Sequence, residues 1–318
     1  MAFEDVLGQE PAVQTLRRAL ASGRIHHAYR FEGPEGVGKE LCALELAKEL
    51  VCGPGAANEV ARQRIATFGD DEPRVPRHPD VVVVQRGLYG KLIGSSEATG
   101  ISVEQIRRIV LTRAGYPPYE GRALVFIVRD ADELTVSAAN ALLKTLEEPS
   151  AHTHFVLLTS RPRRLLDTIL SRTLAVRFGP LPDAVVASIL QRNGADPHVA
   201  PLGSGSASRA LQLADAELVQ TRQRFVTAAL DAIAAPDLTA ALALAEDRPP
   251  DKADLRDNLE FLATRFADDA RACVGSQPAR AQQAAARHHV VLGALTELER
   301  NAQPALALET MILRLRSQ

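Results

Sequence analysis

The sequence predicts an α/β protein: a doubly wound parallel sheet, then a small helical segment, then an all-α domain. Three observations carry this. A glycine-rich loop, Gly33-Pro34-Glu35-Gly36-Val37-Gly38-Lys39, sits between an apolar strand-like stretch and a helical one. The runs Asp80–Val84 and Ala123–Val128 are apolar on both faces, which suits strands covered by helices on both sides. They alternate with segments of helical period, the arrangement of βαβ units.

In chain order, residues 3–22 read as a short lead-in and an amphipathic helix, with Val13, Leu16 and Leu20 at helical spacing. His26 and His27 precede the first strand, Ala28–Phe31; two adjacent histidines lacking a third ligand read as packing and hydrogen bonding at its entrance. Leu41–Leu50 is a helix. Residues 53–79, rich in Gly, Pro and charge, read as a surface excursion. A helix over 102–114 carries Val103, Ile106, Ile109 and Val110, with Ser102 as its cap. After the strand Ala123–Val128 comes Arg129-Asp130-Ala131-Asp132-Glu133, then a helix through Ser137–Pro149. The strand His154–Leu158 ends in Thr159-Ser160, the next helix closes on Leu170-Ser171-Arg172-Thr173, and Leu174–Phe178 is the last strand. Pro180 and Pro182 mark a boundary, beyond which short helices, Ala184–Arg192 and Arg209–Ala214, flank the turn Gly203–Ser206. From about 216 onward the chain is rich in Ala and Leu, broken at Pro236, Pro249-Pro250, Pro278 and Pro304, and reads as about five helices. The expected domains are therefore 1–178, 179–215 and 216–318.

A length of 318 residues exceeds what one core holds, roughly 250–300 residues. With 46% hydrophobic and 24% charged residues the composition is that of an ordinary globule. No apolar run reaches the roughly 18 residues of a membrane span, and the amino terminus has no signal-peptide build, so a cytoplasmic protein without a membrane partner is expected. A net charge of −2 argues against coating nucleic acid by bulk charge. It leaves open a local basic strip at Arg161, Arg163 and Arg164, whose plainer reading is a solvated face. The cysteines Cys42, Cys52 and Cys273 are too few and scattered for a disulfide framework or a zinc site, and the first two read as small apolar residues of one helix.

Gly33, Gly38 and Lys39, with Gly36 inside the loop, match G-x-x-x-x-G-K-[ST] at every position but the last. A hydroxyl there would hold a nucleotide's magnesium; Glu40 instead puts a carboxylate at a helix N-terminus, whose dipole favours an anion. P-loop ATPases carry, after the central strand, an aspartate for magnesium and a glutamate for the attacking water. Here those positions are Arg129 and Asp130. Lys39 is expected to pair with Asp130 or Glu40. Because Glu40 and Arg129 flank the place of one metal ion, a charge-assisted Glu40–Arg129 pair is expected as well. The plainer alternative has Glu40 capping its helix and Arg129 facing solvent or Asp132.

With Phe3–Gln9, His26–Tyr29, the glycine loop, Asn140–Pro149, Thr168–Arg172 and Asn301–Glu309 taken together, the chain resembles the bacterial clamp-loader AAA+ family of DNA polymerase III, most closely its delta-prime type. The resemblance implies an α/β P-loop AAA+ module, a helical lid, and a carboxy-terminal helical collar that joins five subunits in a ring. It implies as partners the tau/gamma and delta subunits, and, through the complex, the sliding clamp and primer-template DNA. Ser171-Arg172 matches the family's Ser-Arg-Cys, whose arginine projects as an arginine finger to a neighbouring subunit's ATP. Arg209 matches a lid arginine that touches nucleotide from the same chain, and Thr159 belongs with the degenerate P-loop. Of the four-cysteine zinc module of many relatives only Cys52 remains, so no zinc is expected, nor magnesium; ATP would be held by neighbouring subunits. The function so implied is an accessory subunit of a DNA-directed DNA polymerase, a stator without its own ATP hydrolysis that supplies Arg172 in trans. The alternatives are an active AAA+ ATPase of the tau/gamma type and a structural adaptor outside replication in which Arg172 is idle. Leu306, Leu308, Ile312 and Leu315 are expected to carry assembly, since an apolar stripe has to be buried somewhere.

Overall fold

The computed structural model describes residues 3–53, 59–68, 75–90, 100–235, 252–299 and 302–317. The chain forms two compact units, Met1–Ala214 and Asp215–Gln318.

The first unit is built on five strands, β1 (Ala28–Glu32), β2 (Val81–Val84), β3 (Leu124–Val128), β4 (Thr153–Thr159) and β5 (Leu174–Arg177). They lie in the order β2-β3-β4-β1-β5, and every pairing is parallel. Alternate side chains of the central strands enter two separate cores. From β3 and β4, Val125, Ile127, Val156 and Leu158 face one core together with Tyr29 and Phe31, under helices α1 (Glu10–Ser22) and α2 (Lys39–Cys52). Leu124, Phe126, Val128, Phe155 and Leu157 face the other. There Phe126 and Phe155, opposite each other in register, stack at 5.1 Å. Burial on both faces is what the double apolar pattern demanded.

Several sequence expectations need adjustment. The stretch 53–79 contains a helix, α3 (Glu59–Ala66), whose Ile65 is fully buried; residues 54–58 and 69–74 lie outside the described residues. Asp80 does not belong to β2. It is buried and accepts hydrogen bonds from the backbone N–H groups of Tyr119, Glu120 and Gly121 at 2.6, 2.8 and 2.8 Å and from Arg113 at 2.9 Å. The helix over Val103–Ala114, α4, is capped by Ser102 as expected, and its middle, Ile106–Leu111, is π-helical. Next come α5 (Val136–Glu147), capped by the Thr135 hydroxyl, and the short α6 (Asp167–Leu170).

The helical segment after β5 consists of α7 (Asp183–Arg192), a 3₁₀ stretch at Pro197–Gly203 and α8 (Ala207–Ala214). Its Leu181, Val186, Leu190, Ala200 and Ala210 share the core of α1 and α2. At the entrance of β1, His26 Nδ1 lies 2.8 Å from the Ala28 carbonyl and His27 Nε2 lies 2.8 Å from that of Leu146, with the two rings stacked at 4.3 Å.

The second unit has four helices among the described residues, α9 (Ala216–Ala234), α10 (Lys252–Cys273), α11 (Pro278–Glu299) and α12 (Pro304–Arg316). A fifth would fall on 236–251, outside the described residues. Pro278 and Pro304 open helices, where a missing N–H costs nothing. Leu308, Ile312 and Leu315 are fully buried in this unit's own core with Leu255, Leu259 and Val291. Three of the four positions expected to carry assembly are thus internal, because α12 first has to cover its own neighbours. Leu306 is exposed, and so is Leu313, seven residues on along the same face.

Candidate functional site

A cavity of about 740 Å³ opens at the carboxy-terminal ends of β1 to β4, where ligands of parallel sheets collect. Each strand delivers residues to it: the glycine loop after β1, Gln85 after β2, Arg129 and Asp130 after β3, Thr159 and Ser160 at the end of β4. Gly36 has a φ of 71°, and a Cβ there would collide with the hydroxyls of Ser206 and Ser208, so only glycine lets the α7–α8 segment approach. The approach is stitched by Ala207 N–H donating to the Gly36 carbonyl at 2.9 Å. Gln9 adds a second stitch, donating from Nε2 to the carbonyls of Val37 at 3.2 Å and Gly179 at 2.8 Å.

Glu40 and Arg129 meet. Arg129 Nε donates to Glu40 Oε1 at 3.0 Å, Nη2 contacts the same oxygen, and Nη1 donates to Gln85 Oε1 at 3.0 Å. The arginine side chain is 12% exposed and the glutamate 42%. Lys39 behaves otherwise than expected. Its ammonium donates to the carbonyls of Gly33 at 2.6 Å and Pro34 at 2.5 Å, rather than to the carboxylate of Glu40 or Asp130. The loop folds back so that its own carbonyls are the first acceptors the ammonium meets. Burial lowers the lysine's pKa, opposed by the charges of Glu35, Asp130 and Asp132.

Asp130 has a left-handed backbone, φ 46°. Burial of its carboxyl, then the charges of Glu133, Glu35 and Asp132, push its pKa up to about 6, with Lys39 opposing. Asp130 as a whole is an exposed residue, so solvent screens part of this shift. Thr159 Oγ1 donates to Asp132 Oδ1 at 2.5 Å and accepts from the Arg161 N–H at 3.0 Å. Arg209 is not among the side chains lining the cavity, although Ser208 is. Gln85 and Ser208 were not singled out from the sequence, while Asp132 entered only as an alternative partner of Arg129 and Gln9 only as part of the Phe3–Gln9 motif; for Gln85 its place directly after an apolar strand was the one available signal.

Arg172 lies on the turn between α6 and β5. Its Nε donates to Glu147 Oε1 at 2.7 Å, Nη2 contacts the same oxygen, and Nη1 donates to the Thr168 carbonyl at 3.0 Å and the Ser171 hydroxyl at 3.1 Å. Beneath the turn, buried Arg30 donates to the Leu170 carbonyl at 3.2 Å, the Thr173 hydroxyl at 2.5 Å and Glu32 at 2.6 Å.

A family model described as DNA polymerase III, delta subunit, matches residues 8–182, more than half of the chain. The chain belongs to the clamp-loader subunit family of DNA polymerase III. Among similar proteins, the DNA polymerase III subunit gamma/tau of Mycobacterium bovis is 36% identical over 239 residues, 71% of this chain and 39% of the relative. Subunit tau of Escherichia coli is 36% identical over 211 residues, 66% of this chain and 30% of the relative. Subunit delta' of Bacillus subtilis is 34% identical over 194 residues, 61% of this chain and 54% of the relative. The match thus spans about a third to a half of these relatives. In this chain, Arg163 and Arg164 are exposed on the turn after β4, and Arg161 is half-buried. Among the described residues no helix is long and apolar enough to cross a membrane, and no three His, Cys, Asp or Glu side chains stand together as metal ligands would.

Proposed function

We propose that this clamp-loader subunit is of the delta-prime type: a stator that hydrolyses no ATP itself and offers Arg172 in trans to the ATP site of a neighbour. Its partners on this reading are tau/gamma and delta subunits in a hetero-pentameric ring, which loads the sliding clamp onto primer-template DNA. The observation that supports it is the Glu40–Arg129 pair. A carboxylate and a guanidinium stand where the hydroxyl and aspartate of an active P-loop ATPase would hold magnesium, and the arginine's charge repels a cation from that place. Arg172 is available for the second half of the reading, since it stands on a turn with its side chain 31% exposed. A positive charge delivered to a transferring phosphoryl group is worth roughly 10³–10⁵ in rate in other systems.

An active gamma/tau-type ATPase is the second reading, favoured by the 36% identity to gamma/tau proteins. The test is magnesium-dependent ATP turnover by the isolated chain, followed by reconstitution with tau/gamma and delta subunits. No turnover is expected from the isolated chain, and Arg172→Ala should lower DNA-stimulated turnover of the complex without loss of assembly. Turnover by the isolated chain that Lys39→Ala abolishes would establish the second reading instead.

A further inference from the structure

In the free chain the Arg172 guanidinium is held by a partner on another element. Glu147 stands in the last turn of α5 and takes both Nε and Nη2 on one carboxylate oxygen. The turn's backbone does not depend on this contact, because Arg30 fixes it from the buried side through Leu170 and Thr173. Glu147 therefore acts on the guanidinium alone. Both partners are open to solvent, Arg172 at 31% and Glu147 at 48%, so the guanidinium can exchange one anion for another without any unfolding. For the same reason the pair is in the weak range of ion pairs, an affordable one to give up.

We propose that Glu147 is a positioning residue for Arg172: it neutralises and parks the guanidinium in the unassembled subunit and is replaced there by the terminal phosphate of a neighbour's nucleotide. This rests on the trans-arginine reading above. The carboxylate and the phosphate compete for one cation, so Glu147 raises the nucleotide concentration needed to engage the neighbouring site. The Thr168 carbonyl and Ser171 hydroxyl keep Nη1 oriented through the exchange.

Two measurements on the full chain test it. In the reconstituted complex, Glu147→Gln keeps the side chain's size and removes its charge. The half-saturating ATP concentration should fall about two- to fivefold, the equivalent of an exposed ion pair, with maximal turnover within about twofold of the parent. Glu147→Asp, which restores the charge, should return it toward the parent value. In the free chain, the Arg172 Nε–H should exchange slowly with water, and roughly fivefold or more faster in Glu147→Gln. An unchanged or raised half-saturating concentration in Glu147→Gln, while Arg172→Ala removes stimulation, would overturn the proposal and leave the trans-arginine reading intact. Arg172→Ala without effect on turnover would overturn that reading and the exchange with it, and Glu147-dependent Nε–H protection would then mark a structural partner only.

Discussion

Beside the glycine loop, the opposite charges of Glu40 and Arg129 satisfy each other. Arg129 is nearly enclosed, while Glu40 is partly open, so the pair lies between the exposed and buried limits. Glu40→Gln should cost about 1–2 kcal/mol in urea unfolding, more than an exposed pair, because the arginine stays desolvated. A loss below about 0.3 kcal/mol would mean that Gln85 alone suffices for Arg129. Asp130 makes a second residue-level prediction. Its pKa is raised in the fold, from an ordinary 3.8 to about 6, so its contribution to stability is present below the unfolded value and lost as pH rises through about 6. Asp130→Asn should therefore raise Tm by about 1–3 °C at pH 7.5 and leave it unchanged near pH 3.5, as read by thermal unfolding. The Glu40–Arg129 contact was legible in the sequence because the glycine-loop spacing fixes one position and the strand that precedes Arg129 fixes the other. The Lys39 contacts were not, because backbone carbonyls carry no mark in a sequence.

The strands were the most legible elements, since runs such as Leu124–Val128 leave no side free of core. Helix α3 was hidden: its polar sequence has one fully buried anchor, Ile65, and periodicity needs more than one. The entrance of β1 and β4 carries its own pH dependence. His27 and His154 have lowered pKa values, in both cases mainly through burial, helped by His26 for the first and by His27 and His152 for the second. A histidine whose pKa falls on folding lends stability above its unfolded value, near 6.5, and loses it as pH falls below that. With Asp130→Asn in both proteins to remove its opposite contribution over this range, the urea midpoint should therefore drop between pH 7.5 and pH 5.5, and drop less when His27→Gln/His154→Gln is added. Equal drops in the two proteins would show that these rings do not control the acid limb.

For the molecule as a whole, Met1–Ala214 and Asp215–Gln318 are two compact units, the first with a core on each face of its sheet and the second with a core of its own. A fragment ending at Ala214 should unfold cooperatively by itself and fail to join other subunits. The carboxy-terminal positions divide accordingly. Ile312→Ala should cost about 2–5 kcal/mol in the free chain, since it empties core, whereas Leu306→Asp/Leu313→Asp should change free-chain stability by less than about 1 kcal/mol and weaken assembly, measured by analytical ultracentrifugation. Normal assembly of that double variant would place the contact surface elsewhere. Sequence periodicity showed that α12 is apolar but could not say which of its faces is spoken for, because that depends on α10 and α11. The grip of Lys39 on its own loop has a last consequence, which is one of linkage. A phosphate can claim that ammonium only from the fraction of molecules in which it has let go of Gly33 and Pro34. Two hydrogen bonds from a charged donor, at ~1.5 kcal/mol each, would make that fraction on the order of one in a hundred, and apparent affinity scales with it. Rebuilding the metal ligands with Glu40→Thr and Arg129→Asp should therefore give a site that takes magnesium nucleotide roughly a hundredfold more weakly than an active relative. Calorimetry showing equal affinity would mean that the lysine was never held back.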